Sequence, residues 1–122
     1  MTAMNLPEQQ SLVDITLSDQ SMPKTDQALR YNNGKPQLSY LLDAPFAMEG
    51  LARRFELGAK KYSRDNWKKG LPDNEVIDCL TRHLMAYHNG EAEDADGGFH
   101  VDAILWNAVV LSEQFYKRRQ NG

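Results

Sequence analysis

The chain has 122 residues, of which 41% are hydrophobic and 25% are charged, a composition that fits one globular domain with a small core. A net charge of −3 and the absence of a long basic run argue against binding to duplex nucleic acid. No apolar segment reaches the length of a membrane span, and the N-terminus lacks a signal-peptide pattern. The single cysteine, Cys79, excludes an internal disulfide, and we expect a reducing, cytoplasmic setting.

Residues 1–28 differ in composition from the rest of the chain, because they are polar and contain no aromatic residue. Only residues 12–17 alternate between apolar and polar side chains as a strand does. An isolated strand is not stable alone, so we expect an arm that packs on a neighbouring subunit. Residues 29–122 then form the main domain. Near its start, a turn at Asn33-Gly34 presents Lys35 together with backbone N–H groups, which suits an anion.

Three amphipathic helices are predicted in the main domain, at residues 44–62, 74–89 and 99–118. Asp43 is a suitable N-cap for the first helix, and Pro45 lies in its first turn, where a missing N–H costs nothing. Gly90 is expected to end the second helix. Gly58 weakens the first helix unless another backbone approaches it closely. The pattern predicts a small all-α bundle, and its narrow apolar stripes favour an oligomer.

The connection between the second and third helices is acidic, with Glu91, Glu93, Asp94 and Asp96 close together. Such carboxylates repel one another unless a cation joins them, and a divalent metal with oxygen ligands would do so. A solvated acidic loop is the alternative. In the second helix, Asp78 forms either a metal-binding pair with Glu75 or a surface ion pair with Arg82, four residues later.

The segment after the first helix has side chains suited to a nucleotide. Lys60 and Lys61 can meet phosphates, Tyr62 or Trp67 can stack on a base, and Asn66 can pair with a base edge. The alternative is that the two aromatic residues are core residues that cover the helix end.

Further polar residues of the second and third helices are candidates for the same pocket. Arg82 and His83 lie near the end of the second helix, next to the acidic connection. His100 and Asn107 are two turns apart on one side of the third helix. We expect these two either to read a base edge or to link helices to one another.

Taken in order, these pieces resemble the N-terminal domain of the phage dATP/dGTP diphosphohydrolase family over about residues 30–116. The matching residues are Gly34-Lys35, 58–62, Asn66-Trp67, Arg82-His83, Gly90-Glu91, Asp94, Gly98, His100 and 106–108. The resemblance implies a helical nucleotide-binding fold in the style of MazG-like pyrophosphohydrolases. Those enzymes hold Mg²⁺ with two helical carboxylate pairs and split a nucleoside triphosphate into monophosphate and pyrophosphate.

The resemblance therefore implies a Mg²⁺-dependent, or Mn²⁺-dependent, hydrolase that acts on purine deoxynucleoside triphosphates. Glu91 and Asp94 would be metal ligands, and Glu49 or Asp78 would be a further ligand or a base. The phosphates would be neutralised by Lys35, Lys60, Lys61 and Arg82. The purine would be held by Tyr62, Asn66, Trp67 and Asn107, with His83 and His100 completing the pocket.

The sequence also departs from the pyrophosphohydrolase pattern, because Glu49 and Glu56 in the first helix are seven residues apart and form no tight pair. Pairs with the closer spacing occur at Glu75–Asp78 and at Glu91–Asp94. An incomplete carboxylate set favours a second hypothesis, in which a non-catalytic phage protein binds and sequesters a nucleotide-derived messenger of host defence.

Overall fold

A computed structural model describes residues 27–121, so the predicted strand at residues 12–17 and most of the predicted arm lie outside the described part. The chain divides into two units, with the boundary after Pro36. In the described part of the first unit, the Lys35 N–H donates to the Asn32 carbonyl at 3.1 Å. Gly34 has a φ of 82° there, which confirms the predicted turn.

The second unit is helical, as the sequence predicts. It contains three α-helices, α1 (Pro45–Lys61), α2 (Asp73–His88) and α3 (His100–Asn121). Two short 3₁₀ helices accompany them, the first at Leu38–Asp43 and the second at Asn66–Lys69. Within residues 27–121 the only extended pairing is an isolated bridge between Glu93 and Phe99. The all-α prediction is therefore confirmed, although the two 3₁₀ helices were not predicted.

The start of α1 differs from the prediction. Asp43 is the last residue of the first 3₁₀ helix, and Ala44 occupies the N-cap position with no side-chain hydrogen bond. The expectation that Asp43 caps α1 was therefore wrong. The physical reason lies in Pro45, because its ring disfavours the α conformation for the residue before it. Ala44 accordingly has a φ of −125° and a ψ of 61°, which separates the two helices one residue after Asp43.

The helix α3 is the central helix, since both α1 and α2 pack against it. Its buried apolar residues are Ala103 and Val110, which lie with Val76 of α2 in the core. Gln114 of α3 fixes the start of α2. Its side chain accepts from the Leu71 N–H at 2.8 Å and donates to the Leu71 carbonyl at 3.0 Å. Arg118 adds an ion pair with Asp73 at 2.8 Å, so polar contacts connect α3 to the start of α2.

Val76, Ala103 and Val110 are the only buried apolar residues within residues 27–121. Several large apolar side chains of α2 remain about half exposed, namely Ile77, Leu84, Met85 and Tyr87. A face of this kind supports the expectation of an oligomer, because association removes apolar surface from water.

We predict that light scattering at micromolar concentration gives a mass of two or more times 13.9 kDa, whereas a mass of 13.9 kDa would contradict the prediction.

The close approach expected at Gly58 occurs instead at Gly50. A side-chain carbon built on Gly50 would overlap the carboxylate of Asp102 in α3, whereas one built on Gly58 would meet nothing within 4 Å. Gly50 is buried, so glycine is needed there for α1 and α3 to pack together. The conformational cost of Gly58 within the helix therefore has no packing compensation among the described residues.

Two matched substitutions test this packing. Gly50→Ala should lower the free energy of unfolding by about 1–3 kcal/mol, because the added methyl overpacks the contact with Asp102. Gly58→Ala should raise it by roughly 0.5–1 kcal/mol, because alanine favours the helix and nothing obstructs it. Urea denaturation measures both values. Equal effects of the two substitutions would contradict the assignment of the close approach to Gly50.

Candidate functional site

The loop between α2 and α3 folds back on itself and brings Asp94 next to the start of α3. Gly90 ends α2 with a φ of 95°, as predicted. Within the loop, the Asp94 N–H donates to the Gly98 carbonyl at 2.7 Å, and the Gly97 N–H donates to the Asp94 carbonyl at 3.0 Å. The His100 N–H donates to the Ala92 carbonyl at 3.0 Å, which joins α3 to the near side of the loop.

This loop assembles a group that we call the histidine cluster, made of His83 from α2, Asp94 from the loop and His100 from α3. Each of the three side chains offers one potential metal-ligand atom, and these atoms lie within 4.8 Å of one another. The Nδ1 atoms of the two histidines are 2.9 Å apart. His100 is buried, and its Nε2 atom has no hydrogen-bond partner. The carboxylate of Glu91 lies 3.9 Å from that atom.

Two cations of α1 neutralise part of the acidic loop. The Arg54 guanidinium lies 3.3 Å from a carboxylate oxygen of Asp94, and both side chains are only about 15% exposed. Lys61 lies 3.0 Å from Asp96, in a more exposed pair. Two of the four carboxylates that were expected to need a cation therefore find one within the chain.

These contacts shift three pKa values. Burial alone would raise the pKa of Asp94, but hydrogen bonds from the Ala95 N–H and the Arg54 guanidinium hold it below its ordinary value. Burial also lowers the pKa of His83, against the attraction of the Asp94 carboxylate. The hydrogen bond to Asp96, together with its charge, raises the pKa of Lys61.

A second feature, the aromatic cleft, opens beside α1 and the second 3₁₀ helix. It has a volume of about 450 Å³ and is lined by Ala52, Phe55, Glu56, Ala59, Arg64, Asp65, Trp67 and Lys68. The Trp67 ring is 5.5 Å from the Phe55 ring, which in turn meets the Trp106 ring edge-on at 5.9 Å. The Lys117 ammonium lies 5.8 Å from the Trp67 ring. Trp67 is half-buried, so it both packs against Phe55 and presents surface to the cleft.

The cleft and the histidine cluster lie on opposite sides of α1. Successive helical residues are rotated by about 100° around the axis, so Phe55 and Ala59 share one side while Arg54 and Lys61 share the other. Phe55 and Ala59 line the cleft, whereas Arg54 pairs with the cluster residue Asp94. Within the described residues, Trp67 and the pair Arg82-His83 are therefore not brought into one pocket, whereas Lys61 lies on the same side of α1 as the cluster.

The remaining residues that were predicted to bind the nucleotide differ in how deeply they are buried. Lys60 and Tyr62 are exposed at the end of α1, and Tyr62 is not part of the cleft lining. Asn66 is half-buried at the start of the second 3₁₀ helix. The Arg82 side chain is exposed and donates to the sulfur of Cys79 at 3.1 Å. Asn107 is buried, and its amide donates to the Ala103 carbonyl of its own helix at 2.7 Å.

Of the four predicted catalytic carboxylates, Glu91 and Asp94 lie near His100, whereas Glu49 and Asp78 do not join them. Glu49 is exposed on α1 and lies 3.9 Å from Arg53, and Asp78 is exposed on α2. Within residues 27–121, the histidine cluster is the one group of three potential metal-binding side chains (His, Cys, Asp or Glu) whose ligand atoms lie close together. Sequence reasoning missed Arg54, Phe55 and Arg64 as site residues. A usable signal was present for Arg54, because it is seven residues before Lys61 and so shares a helix side with it.

The described residues form a small all-α domain with an aromatic cleft that has a charged rim and with a separate histidine cluster. The chain matches the family "dATP/dGTP diphosphohydrolase, N-terminal" over residues 25–121, and it belongs to this family. It is also 33% identical over 83 residues to a protein of Salmonella phage PMBT28 named dATP/dGTP diphosphohydrolase. That alignment covers 68% of the chain but only 28% of the relative. No solved structure matches the chain.

Within residues 27–121, no helix has the length and apolar character that crossing a membrane requires.

Substitutions at two neighbouring arginines test the link between α1 and the loop. Arg54→Met should lower the free energy of unfolding by about 1–3 kcal/mol, because it leaves the largely buried Asp94 carboxylate without its cation. Arg53→Met should change it by less than about 0.5 kcal/mol, because its ion pair with Glu49 is exposed. Chemical denaturation of both variants gives the comparison. A cost at Arg53 equal to that at Arg54 would contradict the proposed role of the buried pair.

Proposed function

We propose that the chain is a purine deoxynucleoside triphosphate diphosphohydrolase, or the nucleotide-binding part of one, which converts dATP or dGTP into the monophosphate and pyrophosphate. The family match over residues 25–121 carries this proposal. The name of the phage relative supports the same substrate class. Because the chain corresponds to 28% of that relative, the activity of the whole relative is proposed here and not transferred as a finding.

We propose the aromatic cleft as the nucleotide site. Its volume of about 450 Å³ lies within the roughly 300–1,000 Å³ that small-molecule sites occupy. Phe55 and Trp67 provide an apolar wall on which a purine can stack. Arg64 and Lys68 at the same cleft are cations that can contact phosphates, and Lys68 pairs with Asp65 at 3.1 Å when no nucleotide is bound. The base and the phosphates thus find complementary groups within one cleft.

A magnesium ion bound together with the nucleotide is compatible with this cleft, but through carboxylates other than the expected ones. Glu49, Glu91 and Asp94 are not part of the cleft lining, whereas Glu56 and Asp65 are. Mg²⁺ at a nucleotide site commonly uses only one or two protein carboxylates in addition to phosphate oxygens. Glu56 and Asp65 would therefore hold it, and the ion would supply charge neutralisation and a polarised phosphoryl group.

A second function, nucleotide binding without hydrolysis, is favoured by the scattered position of the expected catalytic residues. Glu49 and Asp78 are exposed on different helices, outside the histidine cluster. The aromatic wall and the charged rim of the cleft do not depend on them. In this case a phage-encoded chain would act in the host cytoplasm by sequestering a purine nucleotide or a nucleotide-derived defence messenger.

Incubation with each deoxynucleoside triphosphate and Mg²⁺ or Mn²⁺ distinguishes the two functions. Hydrolysis should yield the purine monophosphate and pyrophosphate in a 1:1 ratio, with dCTP and dTTP little changed, as read by ion-exchange chromatography and ³¹P NMR. Unchanged dATP or dGTP that still raises the melting temperature would support the binding function. Neither turnover nor stabilisation by purine nucleotides would contradict both.

Substitution of Trp67 tests the cleft as the purine site. Trp67→Leu should weaken the binding of dATP or dGTP by about 1–3 kcal/mol, because leucine keeps apolar volume but removes the stacking ring. Tyr62→Ala should have a much smaller effect, since Tyr62 is 70% exposed and lies outside the cleft lining. Isothermal titration calorimetry gives both affinities. A larger loss at Tyr62 than at Trp67 would place the base elsewhere.

A further inference from the structure

We propose that the histidine cluster, formed by His83, Asp94 and His100, is a binding site for a divalent first-row transition metal ion such as Zn²⁺, Co²⁺ or Mn²⁺. The three side chains come from α2, from the loop and from α3, and their potential ligand atoms lie within 4.8 Å of one another. Two imidazoles and one carboxylate are a donor set that favours these ions over Mg²⁺, which prefers oxygen ligands.

The spacing of the two imidazoles fits a shared ion. Their Nδ1 atoms are 2.9 Å apart. Neighbouring nitrogen ligands on an ion with bonds of about 2.0–2.1 Å are separated by about 2.9–3.4 Å, depending on the coordination angle. Asp94 can contribute to the same ion while its carboxylate accepts from Arg54, because an ionised carboxylate has about four lone-pair sites.

The buried Nε2 atom of His100 is the second observation that points to a ligand. If only a hydrogen bond joins the two Nδ1 atoms, His100 leaves Nε2 buried without a partner, whichever ring carries the proton. If both Nδ1 atoms bind an ion, the His100 ring must carry its proton on Nε2. Glu91, now 3.9 Å away, is then positioned to accept that proton in a hydrogen bond. A carboxylate behind a metal-bound histidine is the usual outer contact of such sites.

The site is separate from the proposed nucleotide cleft, since the two lie on opposite sides of α1. An ion bound there would join α2 to the loop and to the start of α3, and metal binding would stabilise the folded chain. The inference therefore does not rest on the proposed reaction. It is tested without nucleotide, so failure of one proposal leaves the other unaffected.

The test uses the chain after treatment with a chelator, with Co²⁺ and Zn²⁺ as probes and Mg²⁺ as the comparison ion. We expect about one Co²⁺ per chain, with visible absorption bands, and a higher melting temperature with Zn²⁺ but not with Mg²⁺. His83→Gln and Asp94→Asn should each weaken binding by at least about tenfold. The control is His88→Gln, which changes the exposed histidine at the end of α2 and should bind as the wild type does. Circular dichroism confirms that each variant is folded.

A measurement on the wild type keeps the test decisive if a variant does not fold. The chain has three histidines, so ring NMR signals can be followed during a Zn²⁺ titration, and His88→Gln identifies one set. Shifts at His83 and His100 with His88 unmoved would support the site. The proposal is overturned if the wild type binds neither Co²⁺ nor Zn²⁺, if binding survives unchanged in folded His83→Gln, or if only His88 responds.

Discussion

The largely buried ion pair between Arg54 and Asp94 is the interaction on which the arrangement of the histidine cluster depends. It holds the loop between α2 and α3 against α1, and Gly98 packs so closely there that a side-chain carbon would lie 3.3 Å from the Arg54 guanidinium. The same loop positions Asp94 beside His83 and His100. A short acidic loop, whose charges would otherwise repel one another, becomes an ordered part of the domain because α1 supplies the cations.

This use of one side of α1 leaves the other side available for the aromatic cleft. Phe55 joins the cleft to the central helix, because its ring contacts Trp67 at the cleft and Trp106 of α3. The aromatic cleft and the histidine cluster are thus separated by the width of α1. We interpret this separation as two sites for different ligands, a nucleotide in the cleft and a metal ion at the histidine cluster. Neither site requires the other to be filled.

Much of the fold could be predicted from the sequence, because the apolar spacing of α1, α2 and α3 and the turn at Gly90 are local signals. The prediction of an N-cap at Asp43 was wrong because the residue before a proline resists helix formation. The prediction of a close approach at Gly58 was wrong because helix spacing alone does not say which glycine contacts a neighbouring helix. The family resemblance implied that Asp94 is a metal ligand and that His83 and His100 belong to the nucleotide pocket, and it did not group the three residues together. Their convergence, and the cation that Arg54 provides, depend on contacts between residues distant in sequence, which no local pattern encodes.

The central claim, that a purine nucleotide binds on the cleft side of α1 and away from the histidine cluster, is tested most directly by NMR during titration with dATP. The chain has two tryptophans, so the two indole N–H signals report on the cleft wall and the core separately. If the nucleotide binds in the cleft, the Trp67 signal should move strongly. The Trp106 signal should stay nearly constant because its N–H is buried, and so should the ring signals of His83 and His100. Large shifts at the histidines with an unmoved Trp67 would contradict it.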